Sequence, residues 1–277
     1  KGAGRRTSLR RRRTGTEMVL CIDIGNTNIK YGLFEGDELK VSFRVATELN
    51  RTSDQYGTAI IDMLAVKGIA PSDIHGAIIS SVVPSLNYTI SHMCAYYLGV
   101  EPLMVGAGLK TGHNLRVDDA REVGADRIVN DVAAIKKYGA PLIVVDFGTA
   151  TTFNVVNEKK EFIGGAVAPG IRGSMDSLVS GTAKLPRVEI EKPDSVIGKN
   201  TTTNMQSGLV FGFAGLVGYI VKKIKKEMKN PDMKVVATGG FSEIIAGEIS
   251  CIDYVDKLLT LQGLKILYDL NKTEVMK

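Results

Sequence analysis

Apolar and polar positions along the chain fall into two rounds of a similar plan. The first round has apolar runs at residues 18–24 and 29–34 and a further short run at 38–45, the signature of three strands joined by tight turns. Residues 52–67 then carry apolar side chains at helical spacing. The run "IHGAIISSVVP" ends in small residues and proline, residues 85–98 read as a helix, and 102–105 as a short strand. The second round opens on "APLIVVDFGTATTFNVVN", an apolar strand, a glycine turn and a strand, and "EFIGGAVAPG" continues the meander. Helices are predicted over 171–180, 203–229 and 241–246, with "KVVATGGF" as a late strand ending on two glycines. The last helix, "DKLLTLQGLKILYDL", carries leucines at helical spacing that suit a core or a dimer face rather than chemistry. Between the rounds, 122–138 reads as a helix with Ala, Ile and Val on one face. Gly124 lies near its start, although a helix interior disfavours glycine.

The two rounds share a polar detail. "CIDIGNTNIKYGLF" and "VVDFGTATTFNVV" both run apolar strand, Asp, one residue, Gly, polar turn, strand, with Asp23 and Asp146 123 positions apart. One such turn is equally a hairpin with polar turn residues. A pair at the start of two similar units points to two aspartate-bearing hairpins facing a cleft, where backbone N–H groups and carboxylates would meet a phosphate chain and its metal ion. The lysine-bearing phosphate loop GxxxxGK[ST] does not occur, and "VGAGLKTG" (105–112) is an incomplete dinucleotide pattern without a following helix, so it reads as a flexible loop. In "REVGADRIVNDVAAIKKYG", Gly124 and Ala125 are small enough to admit a ligand to the backbone. There Asp126 can accept a proton from an attacking hydroxyl, and Arg127 can bind a carboxylate or stabilise a transferring phosphoryl group. The alternative is an acidic first helical turn beside a solvated arginine.

At 277 residues with 44% hydrophobic content, the chain can fill one large core or two medium ones. Its formal charge of +5 invites a nucleic acid or a membrane as partner. However, residues 1–17, "KGAGRRTSLRRRRTGTE", hold seven basic residues and one Glu, which leaves 28 basic against 29 acidic from Met18 onward. The basicity belongs to this leader, so neither a nucleic acid nor a membrane is expected as partner of the folded body. The leader lacks the apolar segment of a signal peptide and is expected to be disordered and non-native, with a nucleic-acid-binding arm as the alternative. No apolar run is read as reaching the ~20 residues of a membrane span. Cys21, Cys94 and Cys251 are scattered, as are His75, His92 and His113. They make neither a disulfide framework nor a zinc pattern and point to the reducing cytoplasm.

"DIGNTNIKYG", "GADR", "DFGTATT", "GGAVAPG", "NTTTNMQSG" and "ATGGF", in this order and over nearly all of the chain from Met18, resemble type III pantothenate kinase. The Asp-x-Gly-Asn-Thr opening alone belongs to the wider superfamily of acetate and sugar kinases, heat-shock chaperone ATPases and actin; GADR and the second DFGTATT are far more specific. The resemblance implies an α/β fold of two duplicated RNase H-like domains, 18–138 and 139–277, with the active site in the cleft between them. It also implies a homodimer and transfer of the ATP γ-phosphate to pantothenate, the first step of coenzyme A synthesis. It assigns Asp23, Ile24, Gly25, Asn26, Thr27, Asn28, Ile29 and Lys30 to the ATP hairpin, with Asp23 orienting Mg²⁺ bound to ATP. Asp146 would hold a monovalent cation, K⁺ or NH₄⁺, and Thr149 would contact ATP. Gly124, Ala125, Asp126 and Arg127 would bind pantothenate with Asp126 as general base, and Thr201 would contact pantothenate at or near the dimer interface. The family often has Tyr a few positions before REVGADR; here the position is Val117. A small-sugar kinase and a non-catalytic regulatory protein of the same fold are the competing expectations. A chaperone-type ATPase would need large extra subdomains for which 277 residues leave no room.

Overall fold

A computed structural model describes residues 17–272, so the leader expectation lies outside the described residues except for Glu17. The first sheet is built from β1 (Met18–Ile24), β2 (Asn28–Glu35), β3 (Glu38–Ala46), β4 (Ile74–Ser81) and β5 (Pro102–Met104). Its spatial order is β3-β2-β1-β4-β5, with β1 to β3 an antiparallel meander and β4 and β5 parallel to β1. The second sheet repeats the plan with β7 (Leu142–Phe147), β8 (Ala150–Val156), β9 (Glu161–Pro169), β10 (Lys234–Gly239) and β11 (Tyr254–Val255) in the order β9-β8-β7-β10-β11. Its pairings match those of the first sheet, and β6 (Asn114–Leu115) joins the free edge of β9 in parallel. The repeated strand order matches the two similar rounds read in the sequence and the duplicated RNase H-like architecture that the resemblance implied.

Both first strands are buried on both faces, which is why they read as continuous apolar runs rather than alternating ones. In β1, Leu20, Ile22 and Ile24 pack with residues of α1 (Ser53–Val66) and α2 (Asn87–Met93), while Val19 and Cys21 face α7 (Leu259–Asn271). In β7, Ile143, Val145 and Phe147 pack on α4 (Ile171–Ser180) and α5 (Thr201–Glu227), while Leu142 and Val144 face α3 (Ala125–Tyr138) and Leu259 of α7. Helices α3 and α7 are therefore a central layer shared by the two sheets. Their contact is close: a Cβ on Gly263 would stand 2.1 Å from the Val129 carbonyl oxygen.

Several boundaries differ from expectation for local reasons. The helix expected from residue 122 begins at Ala125, because Gly124 is an extended N-cap (φ −56°, ψ 141°) behind a 3₁₀ turn at Ala120–Glu122. The helix expected from 203 begins at Thr201, since Asn200 caps it by accepting from the Thr203 N–H at 2.9 Å. The 85–98 helix is a 3₁₀ turn, α2 and a π turn (Cys94–Leu98) that ends on Gly99 at φ +68°. The last helix starts at Leu259, and the two-residue strands β6 and β11 carry too little pattern to be read in sequence. Contrary to the sequence reading, α5 has the length and composition to cross a membrane, with mean hydropathy 1.4 over 18 residues. One face of it, including Met205, Leu209, Val210 and Val217, is buried in the core beneath the second sheet.

Candidate active site

The polar turns of the two first hairpins meet. The first closes through the Gly25 N–H donating to the Asn28 carbonyl (3.1 Å). Thr47 braces it, its hydroxyl donating to the Gly25 carbonyl at 2.6 Å and its N–H to the Thr27 carbonyl at 3.1 Å. The second closes through the Gly148 N–H and the Ala150 carbonyl (3.1 Å), and the Gly240 N–H donates to the Phe147 carbonyl (3.2 Å). The Thr27 and Thr149 hydroxyl oxygens lie 3.1 Å apart, joining turns 122 residues distant in sequence.

Behind these turns the strand ends hold the charged groups. Asp23, near the end of β1, is paired in register with Lys30 of β2 and Ser80 of β4. Lys30 Nζ stands 3.5 Å from Asp23 Oδ2, with its own side chain 42% exposed. Asp146, near the end of β7, accepts from Asn130 Nδ2 of α3 at 3.0 Å, and Thr260 of α7 donates to Asn130 Oδ1 at 2.8 Å. At the start of α3, Asp126 Oδ1 accepts from the Arg127 N–H at 2.8 Å. A Cβ on Gly124 would stand 2.5 Å from that oxygen and 3.6 Å from Val82, just past β4. Any side chain at Gly124 would have to displace the Asp126 carboxylate, so a glycine suits the point where the helix start, that carboxylate and the end of β4 converge.

These groups feel one another. Burial pushes the Asp146 carboxyl up to about 6, with Lys30 pulling it down and Asp126 and Asp23 raising it further. Burial likewise raises Asp23, opposed by Lys30 and reinforced by Asp126. Burial works against the Lys30 ammonium, but Asp23, then Asp146 and Asp126, hold its pKa above the ordinary value. Three carboxylates therefore share one ammonium at the carboxyl ends of parallel strands, the usual ligand position of open α/β sheets. A hard-oxygen cluster with incomplete countercharge suits Mg²⁺ or an alkali cation rather than zinc. Among the described residues, no group of three or more His, Cys, Asp or Glu side chains could hold a metal.

The predicted residues divide accordingly. Asp23, Lys30, Asp126 and Asp146 share one electrostatic cluster, with Gly124 at its edge; Gly25, Thr27 and Thr149 form the adjoining turns, with Asn26 exposed on the tip. Ile24 and Ile29 are fully buried in the first core and close the hairpin in register, so their side chains are unavailable to a nucleotide and only their backbone groups remain. Ala125 packs on the core beside α7. Arg127 turns its guanidinium away from Asp126, Nε donating to Asn154 Oδ1 at 2.7 Å and Nη2 to the Phe153 carbonyl at 3.2 Å. Thr201 shares none of these contacts; it opens α5 and lines a groove of about 830 Å³ between α4 and α5 with Ser177, Met205, Gly208 and Gly212. Sequence reading missed Asn130, Thr260, Asn154 and Thr47. Asn130 gave a signal, a polar residue four positions after Asp126 on a helix that buries Val129, Val132, Ala133 and Ala134, and Asn154 gave a weaker one as a polar residue in an apolar strand.

The family model for type III pantothenate kinase matches residues 19–223, which include both hairpin turns, the start of α3 and Thr201. The chain belongs to the type III pantothenate kinase family. It is 51% identical over 254 residues to a type III pantothenate kinase from Geobacillus kaustophilus, covering 92% of this chain and 98% of the relative. It is also 52% identical over 256 residues to one from Brevibacillus brevis, covering 92% and 100%. Among solved structures, a protein from Campylobacter jejuni described as a Baf family transcriptional activator superposes with a TM-score of 0.58 at 19% identity, over 92% of this chain and 99% of that one. The ethanolamine utilization protein EutJ from Carboxydothermus hydrogenoformans gives 0.53 at 18%, over 90% and 89%. At such identities the structural likenesses establish the fold that type III pantothenate kinases share with these proteins. As a kinase family it implies ATP and a divalent metal as cofactors.

Proposed function

We propose that this protein transfers the γ-phosphoryl group of ATP to the terminal hydroxyl of pantothenate, using residues 18–138 and 139–277 as the two walls of its cleft. The observation that carries the reading is the meeting of the two Asp-x-Gly hairpins at Thr27 and Thr149, above a cluster of three carboxylates and Lys30. Phosphoryl transfer needs positioning and charge neutralisation more than covalent chemistry from the protein. The N–H groups of the two turns that do not close them and the Thr27 and Thr149 hydroxyls are suited to hold phosphate oxygens. Asp23 would orient Mg²⁺ carried by ATP, and Asp146 would hold K⁺ or NH₄⁺; these ions supply positive charge against the phosphates. Lys30 adds a fixed cation on the same side. Asp126 accepts the hydroxyl proton late in a loose transition state, and Arg127 binds the acceptor's carboxylate.

The reading is tested by following ADP release from ATP and Mg²⁺ with and without pantothenate, in K⁺, NH₄⁺ and Na⁺ buffers. Pantothenate-dependent release, faster in K⁺ or NH₄⁺ than in Na⁺, is the expected result. No dependence on pantothenate in any buffer would overturn it, and release with a sugar acceptor instead would favour a sugar kinase. The three free thiols, two of them buried, suit the reducing cytoplasm in which this reaction would run.

A homodimer belongs to the same proposal. Gly208 and Gly212 of α5 have no neighbour within 4 Å of a Cβ position, and Leu178 of α4 is 42% exposed beside them. A second copy seated on this face would cover the groove and bring its own α4 and α5 to Thr201. Light scattering is expected to give twice the chain mass, and Gly212→Arg to give the single chain. A wild-type mass of one chain would sink this part of the reading.

A further inference from the structure

Behind Arg127 lies a buried polar pair for which the phosphoryl-transfer reading has no use. Asn154 of β8, 2% exposed, accepts from Arg127 Nε through Oδ1, while its Nδ2 donates to Asp131 Oδ1 at 2.7 Å and to the Arg127 carbonyl at 3.2 Å. Asp131 of α3 is 0% exposed, and its Oδ2 has no hydrogen-bond partner among the described residues. The guanidinium is enclosed further by the Phe153 carbonyl and by the Phe162 ring, 5.1 Å from its centre. Gly165 of β9 leaves the space: a Cβ there would stand 3.1 Å from Arg127 Nη2.

The arrangement is directional. An ionised carboxylate only accepts hydrogen bonds, so Asp131 draws the Nδ2 end of Asn154 toward itself and leaves Oδ1 facing Arg127. With the amide reversed, donor would face donor at Nε. Nε and one Nη2 hydrogen are thereby committed to the protein, and the remaining three of the five guanidinium hydrogens are left for a ligand, enough for a two-pronged grip on a carboxylate. The pair is also an expensive way to fill space. Burial pushes the Asp131 carboxyl up to about 7, and its second oxygen is unsatisfied, whereas an apolar or amide side chain would pack without that penalty.

We propose that Asp131 and Asn154 are positioning residues that lock the Arg127 guanidinium for the acceptor's carboxylate, and so set acceptor affinity rather than turnover. This rests on the reading that Arg127 binds the acceptor. The charged groups acting on Asp131 are Arg127 and Asp126 of its own helix. β8, packed on that side, carries no charged residue, and Lys265 and Asp269 of α7 act on Cys21 in the first sheet.

The test is steady-state kinetics on the full chain with pantothenate and ATP varied separately, for wild type, Arg127→Ala, Asp131→Asn and Asn154→Ala. In both Asp131→Asn and Asn154→Ala, KM for pantothenate is expected to rise about tenfold or more, with KM for ATP and kcat within about threefold. In wild type, KM for pantothenate is expected to rise as the pH falls through about 7, and Asp131→Asn to lose that inflection. Because a carboxyl raised by burial costs stability while ionised, Asp131→Asn is also expected to keep or raise Tm at about pH 8, the gain fading as the pH falls below 7. An unchanged pantothenate KM in both Asp131→Asn and Asn154→Ala, or a parallel loss in all kinetic constants together with Tm, overturns the clamp. If Arg127→Ala itself leaves pantothenate KM unchanged, the reading of Arg127 as acceptor ligand fails, which is a separate result.

Discussion

Asp126→Asn is expected to lower kcat by about 10²- to 10⁴-fold while leaving ATP binding intact or slightly tighter. The substitution keeps the size of the side chain and the oxygen that accepts from the Arg127 N–H, so the first turn of α3 should survive. It removes the proposed acceptance of the hydroxyl proton as the acceptor attacks, which an amide cannot supply. It also removes a negative charge that raises the carboxyl pKa values of both Asp23 and Asp146. An anionic nucleotide meets less repulsion in the variant, and a fall in kcat with an unweakened ATP dissociation constant separates loss of chemistry from loss of the site. A kcat within about tenfold of wild type would remove Asp126 from the role of base and leave it as a first-turn carboxylate serving the helix dipole.

Gly263→Ala is expected to destabilise the protein by about 3 kcal/mol or more, despite the roughly 1 kcal/mol that alanine gains over glycine in a helix interior. The added methyl would stand 2.1 Å from the Val129 carbonyl oxygen and 2.8 Å from its Cγ1, so α3 and α7 must part. Both helices belong to the layer between the sheets, and the obstacle is backbone, which cannot rotate out of the way. The change should reach the site as well. Thr260, three residues before Gly263, orders Asn130, and Asn130 holds Asp146. Thermal unfolding and kcat should therefore fall together. Gly218→Ala on α5, where the nearest atom is 4.0 Å from the Cβ position, is the matched control and should be neutral or stabilising by up to about 1 kcal/mol. A Tm for Gly263→Ala equal to that of the control would show that the helices have room to separate, contradicting a tight central layer.

The difference between these two positions also marks what a single sequence can reveal. Asp126 could be singled out as a candidate because Gly124 stands near a helix start, where a helix interior would not choose glycine, and because GADR accompanies two Asp-x-Gly hairpins. Gly263 stands in "LTLQGLKIL" with no local sign of its importance. Its constraint comes from a carbonyl more than a hundred residues away. Asn154 is similar: in "TTFNVV" it is one polar residue in an apolar strand, and its meaning depends on Arg127 and Asp131 approaching from α3. Ile24 and Ile29 show the reverse, since the motif places them in the ATP hairpin while the core takes their side chains and leaves their backbone groups.

The sequence by itself determined the two-round strand plan, the paired aspartate turns, the separation of the basic leader from a body of nearly balanced charge, and the resemblance through which a family could be named. These are local or repeating features, written in the period of apolar residues and in the order of turn residues, so they can be read without knowing what lies across the chain. The tertiary structure alone decided that the turns touch at Thr27 and Thr149, and that three carboxylates share Lys30. It also decided that α3 and α7 form one layer between the sheets, and that Arg127 is held from behind by Asn154 and Asp131. Each of these is a contact between residues distant in sequence. Its energy depends on distance, burial and the direction of a donor, none of which the order of amino acids states.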